Sequence, residues 1–153
     1  MATEPGPSPP PAAEDWDRRK APTLDDFEIL ARAALASLPA KFIAMTGDVH
    51  LRVADFPEDD VMVELGAETP FDILGLFQGV GLAHGATTPE TGQLPNMVWL
   101  YRRPILDYWT EHDETLGGLV RHVLIHEIGH HFGLSDDDME ALEAAAAADE
   151  CAG

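Results

Sequence analysis

The stretch HEIGHHFGLSDDDM, residues 126–139, decides how this chain is read. His126 and His130 are four apart, so on a helix they face the same way, about one turn (~5–6 Å) from each other. Two imidazoles so placed can both reach one Zn²⁺ at ~2.0–2.1 Å. Glu127 projects from the neighbouring side, where it reaches a water on such a metal without being a ligand itself. With this histidine and glutamate content, roughly 0.03 His-Glu-x-x-His matches are expected by chance in a chain of this length. Gly133 and Asp136 at their spacing make coincidence rarer still. A metal site is the expectation.

The residues around the motif support a helix from about Glu114 to His131 or Phe132. Leu116, Leu119, Val120 and Val123 share a face that Glu127 and His130 continue, while Ile125, Ile128 and Phe132 fill much of the remainder. Ionisable groups on a core-directed stripe are costly unless paired or metal-bound, and a metal supplies that partner. Gly133 ends the helix in the C′ manner, and Ser135 is placed to cap a last helix over residues 136–148, with Met139 and Leu142 packing inward. Gly129, inside the motif helix, costs about 1 kcal/mol relative to Ala. Close approach of a strand or substrate backbone, or tight packing, would account for it.

Upstream, Thr23 reads as an N-cap with Asp25 and Asp26 in the first turn. Leu24, Phe27, Leu30, Ala31, Ala34, Leu35 and Leu38 recur at helical spacing until Pro39. Val49, Leu51 and Val53 alternate with His50, Arg52 and Ala54, as in a half-buried strand. Residues 61–65 fit strand or helix equally. LGLFQGVGL (74–82) is apolar with three glycines, the composition of an edge or bulged strand. Residues 83–96 read as a loop, MVWLY (97–101) as a strand, and Pro104 suits the first turn of a helix over 105–112. The reading is α+β: about four helices and a small sheet.

Residues 1–22 are too rich in Pro, Ala and charge to fold, and are expected to be a disordered tail before a domain at 23–150. Trp16 in that tail is a lone docking point at most. The first twenty residues hold no apolar h-region, so no secretory signal is expected. No apolar run approaches the roughly 18 residues of a membrane span. Cys151 is the single cysteine, which excludes a disulfide framework within one chain and fits a reducing cytoplasm. The formal net charge is −19, from 28 acidic and 9 basic side chains. Such a chain repels nucleic acid and anionic lipid, leaving basic peptides or cations as partners it attracts. The sequence does not fix an oligomeric state and is compatible with a monomer.

HEIGHHFGLSDDDM, together with LYRRPIL at 100–106 and GLFQGV at 75–80, resembles the minimal zincin-like metallopeptidases of bacteria. The resemblance covers about residues 24–145 and implies a compact fold with a small sheet over the motif helix. It also implies Zn²⁺ as cofactor and peptide hydrolysis as activity, on a peptide or protein substrate. The motif is similar to the metzincin pattern, in which a third ligand follows the glycine; here that position falls on Asp136. Met139 comes too soon to be the usual Met-turn. Glu150 is a second option for the third ligand, at gluzincin-like spacing, but lies near the terminus where fraying is expected. Asp136 has the added support of the Gly133 turn, and the adjacent Asp137 and Asp138 are candidate substitutes or helix caps.

The other candidates carry weaker signals. His131 lies about 100° round the helix from His130 and points away from a metal, as a helix C-terminal cation or a supporting group. His122, one turn before His126, reads as a packed or exposed side chain. His50, His84 and His112 are isolated and read as structural. Arg102 and Arg103 suit a substrate carboxylate or structural ion pairs, and Tyr101 suits either the core or a tetrahedral intermediate. Beside the peptidase stand two alternatives: a metal-stabilised, non-catalytic peptide-binding module, and a metallohydrolase of another amide.

Overall fold

The computed structural model describes residues 16–79 and 96–152, with side chains as far as Ala147. The expected tail before residue 16, residues 80–95 with His84, and the side chains of Glu150 and Cys151 lie outside the described residues. Helix α1 (Leu24–Ala36) begins where the sequence places it. The Thr23 hydroxyl accepts from the Asp26 amide at 3.1 Å, and the Asp26 carboxylate accepts from the Thr23 amide at 2.9 Å. This reciprocal cap satisfies two amides that a helix start otherwise leaves open.

Helix α2 (Ala40–Thr46) goes beyond the sequence expectation; it follows Pro39, whose ring fixes φ without needing a donor, and ends at Gly47 with φ 66°. Strand β1 (Val49–Ala54) follows, then helix α3 (Asp59–Leu65). The latter settles the ambiguous 61–65 segment as helix, started by Asp59 and Asp60 and stopped by left-handed Gly66. Strands β2 (Gly75–Gln78) and β3 (Asn96–Tyr101) complete the sheet. Helices α4 (Arg102–Glu111), α5 (Leu116–His131) and α6 (Asp136–Ala152) close the chain. Among the described residues, α2 and α3 thus add to the four helices expected, as do the helical residues 16–18, which lie within the segment expected to be a disordered tail.

The sheet runs in the order β1-β3-β2. Strands β1 and β3 are parallel, with Leu51 beside Val98 and Val53 beside Leu100. β2 is antiparallel to β3, with Gly75 beside Leu100 and Gln78 beside Met97. Helices α1 and α5 pack together, α1 against β1 and α5 against β2 and β3. The core between them holds Phe27, Ala31, Val98, Leu100, Leu124 and Ile128, all fully buried. Each large side chain among them contributes about 1.5–3 kcal/mol by leaving water. Among the described residues, no single helix is long and apolar enough to cross a membrane.

Pro22 is tied to the domain, since Arg102 Nε donates to its carbonyl at 2.6 Å. Arg102 also pairs with Asp55 at 3.0 Å, and Arg103 lies 5.6 Å from the Phe56 ring centroid. Arg102 therefore makes the structural ion pair expected of it, whereas Arg103 lies over an aromatic ring.

Candidate metal centre

Thr115 caps α5 through the Gly118 amide at 3.0 Å, and Leu119, Val120, Leu124, Ile125 and Ile128 anchor the helix in the core. On the same helix lie His122, exposed, and His126, half-buried, with His130 one turn further on. The His126 and His130 ring centroids are 5.8 Å apart, as one helical turn requires. His122 and His126 are closer still, at 4.0 Å.

On one flank of this strip Glu127 lies beneath β2. A Cβ built on Gly75 would come within 2.8 Å of Val123 Cγ1, 2.9 Å of the Trp99 carbonyl oxygen and 3.4 Å of Glu127 Cγ. Only glycine lets the strand approach so closely. Its cover leaves Glu127 half-buried, and that partial loss of water pushes the carboxyl up to about 7. A carboxyl poised there can take a proton near neutral pH and give it back. Tyr101, at the end of β3, is buried and stacked on Trp99 at 6.3 Å. Burial first, then the charges of Glu58, Asp60 and Glu127, push its phenol up to about 12. The core role expected of it holds.

The other flank is built by the turn at Gly133. With φ 76° there, the Leu134 amide donates back to the Gly129 carbonyl at 2.9 Å. Ser135 and Asp138 then cap α6 reciprocally, at 3.1 and 3.2 Å, so Asp138 is occupied as a cap. α6 returns along α5. Met139 packs so tightly on Gly129 that a Cβ there would meet its sulfur at 2.7 Å, which makes tight packing the reason for that glycine.

One turn further along α6, Glu143 faces the histidine strip. Its Oε1 lies 2.5 Å from His122 Nδ1 and 3.4 Å from His126 Nε2. The shorter approach is misaligned, so this buried oxygen makes no hydrogen bond. His122, His126 and Glu143 offer ligand atoms within 4.8 Å of one another. Burial, and then His122, hold His126 below the ordinary histidine range against the opposing pull of Glu143 and Asp136, with His130 adding to the fall. A neutral imidazole keeps the lone pair that a metal needs. A buried carboxylate oxygen without a donor is costly, and a cation offsets that cost. The residues present fit a divalent metal.

Asp136 is the first residue of α6, exposed, and near enough for its charge to act on His126. Among the described residues, the imidazole–carboxylate pairs within 4 Å are those of Glu143 with His122 and His126, and neither includes Asp136 or His130. His131 packs against Phe77 of β2, the two rings tilted by 38° with their centroids 4.3 Å apart. The sequence reading passes over Glu143 and takes His122 for a side chain of no chemical consequence. The available signal is the antiparallel return about Gly133: it sets Met139 against Gly129 and, a turn later, Glu143 against His126.

The model of the zincin-like metallopeptidase family matches residues 46–146, from the end of α2 almost to the end of α6. The chain belongs to this family. No curated protein matches it. Both the α+β fold and the small three-stranded sheet on the motif helix are those of a small zincin-like protein.

Proposed function

We propose that this zincin-like chain is a zinc-dependent peptidase in which Glu127 is the general base. The observation that carries the reading is Glu127 itself: half-buried beneath β2, one residue from His126 and beside His130 on the same helix. In this proposal His126 and His130 hold the metal, and Asp136, by its spacing after Gly133, is the third ligand. Zn²⁺ bound there supplies Lewis acidity toward a scissile carbonyl and toward water. Glu127 takes a proton as water adds its oxygen to the carbonyl carbon. It then gives that proton to the amide nitrogen as the C–N bond breaks. β2 lies at one edge of the three strands and covers Glu127. An extended peptide pairing with that edge would lie beside the strand that covers the base, which favours a peptide or protein substrate.

The test is Glu127→Gln, an isosteric change that removes the base. Zinc content and fold should be retained while hydrolysis of a peptide library falls by about 10²–10⁴-fold. A glutamine variant as active as the wild type would overturn the mechanism. His126→Ala should lose the zinc altogether, measured by metal analysis. One observation favours the second reading, a metal-stabilised binding module without turnover. Glu143 brings a further protein donor to His126, and a site closed by four protein ligands is structural rather than catalytic. Under that reading the wild type binds zinc and peptide and turns over neither peptide nor other amides.

A further inference from the structure

We propose that His122, His126 and Glu143 form a second divalent-metal position, one helical turn before the His126–His130 pair and exclusive with it. It shares His126 with the proposed function but does not require that function to be right. The three ligand atoms already lie within 4.8 Å of one another. His126 Nε2 and Glu143 Oε1 are 3.4 Å apart. Two ligands of one tetrahedral metal, each at ~2.0–2.1 Å, stand ~3.3–3.4 Å apart by the same geometry. His122 Nδ1, at 2.5 Å from the same oxygen, is closer than co-ligands stand. His122 is exposed, with a side chain 46% accessible, so its ring has room to draw back.

The oxygen at the centre of the cluster is the buried atom that no donor satisfies. A groove of about 440 Å³ borders His122 and Glu143, lined also by Glu114, Glu140 and Arg121. Its three carboxylates favour entry of a hydrated cation over an anion. Two imidazoles and one carboxylate suit Zn²⁺ and leave a coordination place open.

The two positions exclude each other because the Nε2 atom of His126 has one lone pair. They also differ in chemistry. Glu127 lies under β2, about 100° round α5 from His126, whereas Glu143 reaches the imidazoles from α6, so an ion drawn toward Glu143 moves to the flank of α5 that β2 does not cover. The position is a holding place for the metal, filled from the groove and competing with the catalytic one for a single ligand.

Zn²⁺ titration of the metal-free full-length protein by calorimetry, with Co²⁺ absorption spectra as a second readout, tests this. The wild type should take one ion per chain. His130→Ala should still take one, with affinity within about tenfold of the wild type, because the second position is intact. Adding His122→Ala or Glu143→Gln to that variant should weaken binding by at least about 100-fold. Circular dichroism checks that each variant is folded. If His130→Ala binds no zinc, or if the double variants bind as His130→Ala does, the second position does not exist. Failure of the peptidase reading looks different: zinc stays on His130→Ala and leaves the double variants, yet no peptide is cleaved by the wild type. The Co²⁺ spectrum of His130→Ala should differ from that of the wild type, since the ion has moved to a different ligand set. An identical spectrum would overturn the proposal.

Discussion

The two flanks of α5 solve the same problem, covering ionisable groups on one helix, by opposite means. On the sheet side a missing side chain does it: Gly75 brings backbone down onto Val123 and Glu127, and the carboxyl becomes hard to ionise. On the α6 side a charged side chain does it: Glu143 comes to the imidazoles and leaves an oxygen that asks for a cation. The first arrangement suits proton transfer and the second suits metal capture. One helix carries both because neighbouring residues point about 100° apart round its axis.

The contrast is sharpest in the two glycines that admit the neighbours. A side chain at Gly75 meets the Trp99 carbonyl at 2.9 Å, which is backbone and cannot swing away. Gly75→Val should therefore destabilise the protein by about 1–3 kcal/mol, as overpacking does. In a chain of this size that lowers the melting temperature by about 2–4 °C per kcal/mol. Under the proposed function, peptide hydrolysis should fall with it, since Glu127 loses its cover. A Gly75→Val variant as stable and as active as the wild type would mean that the strand does not press on α5.

Gly129 is the milder case. There the added Cβ meets Met139 Sδ at 2.7 Å, near the end of a flexible side chain. Alanine regains about 1 kcal/mol of helix propensity, which offsets the cost of moving that sulfur. Gly129→Ala should lie within about 1 kcal/mol of the wild type by denaturant unfolding. A loss as large as that at Gly75 would show that α6 is held as rigidly as the sheet.

The smallest effect is read in the alkaline range. The chain has 2 tyrosines, so phenolate absorbance is easily assigned. Tyr101 should ionise near 12, and Tyr101→Phe should remove that late step. The folded state keeps this proton longer than the unfolded chain does. Its contribution to stability is thus complete below the ordinary tyrosine value of about 10 and is lost as pH rises through about 12. Glu127→Gln should draw the step slightly downward by removing one of the negative charges that Tyr101 feels. No movement would separate the two groups electrostatically and weaken the account of the sheet flank.

Much of this molecule is legible along the chain because its signals are local. Thr23 with Asp26, Gly133, and Ser135 with Asp138 act on amides within five residues, so their sequence spacing already states their geometry. The His126, Glu127 and His130 constellation is of the same kind, set by the pitch of one helix. Helix α2 escapes a reading of the sequence because Pro39 marks a stop as readily as a start, and 59–65 because a short apolar run fits two periods. The pairing of β1 with β3, the pressure of Gly75 on Glu127, and the meeting of Glu143 with His122 and His126 were decided by tertiary structure. Each joins residues brought together only when apolar faces of α1, α5 and the sheet leave water, a driving force without direction that no short spacing records.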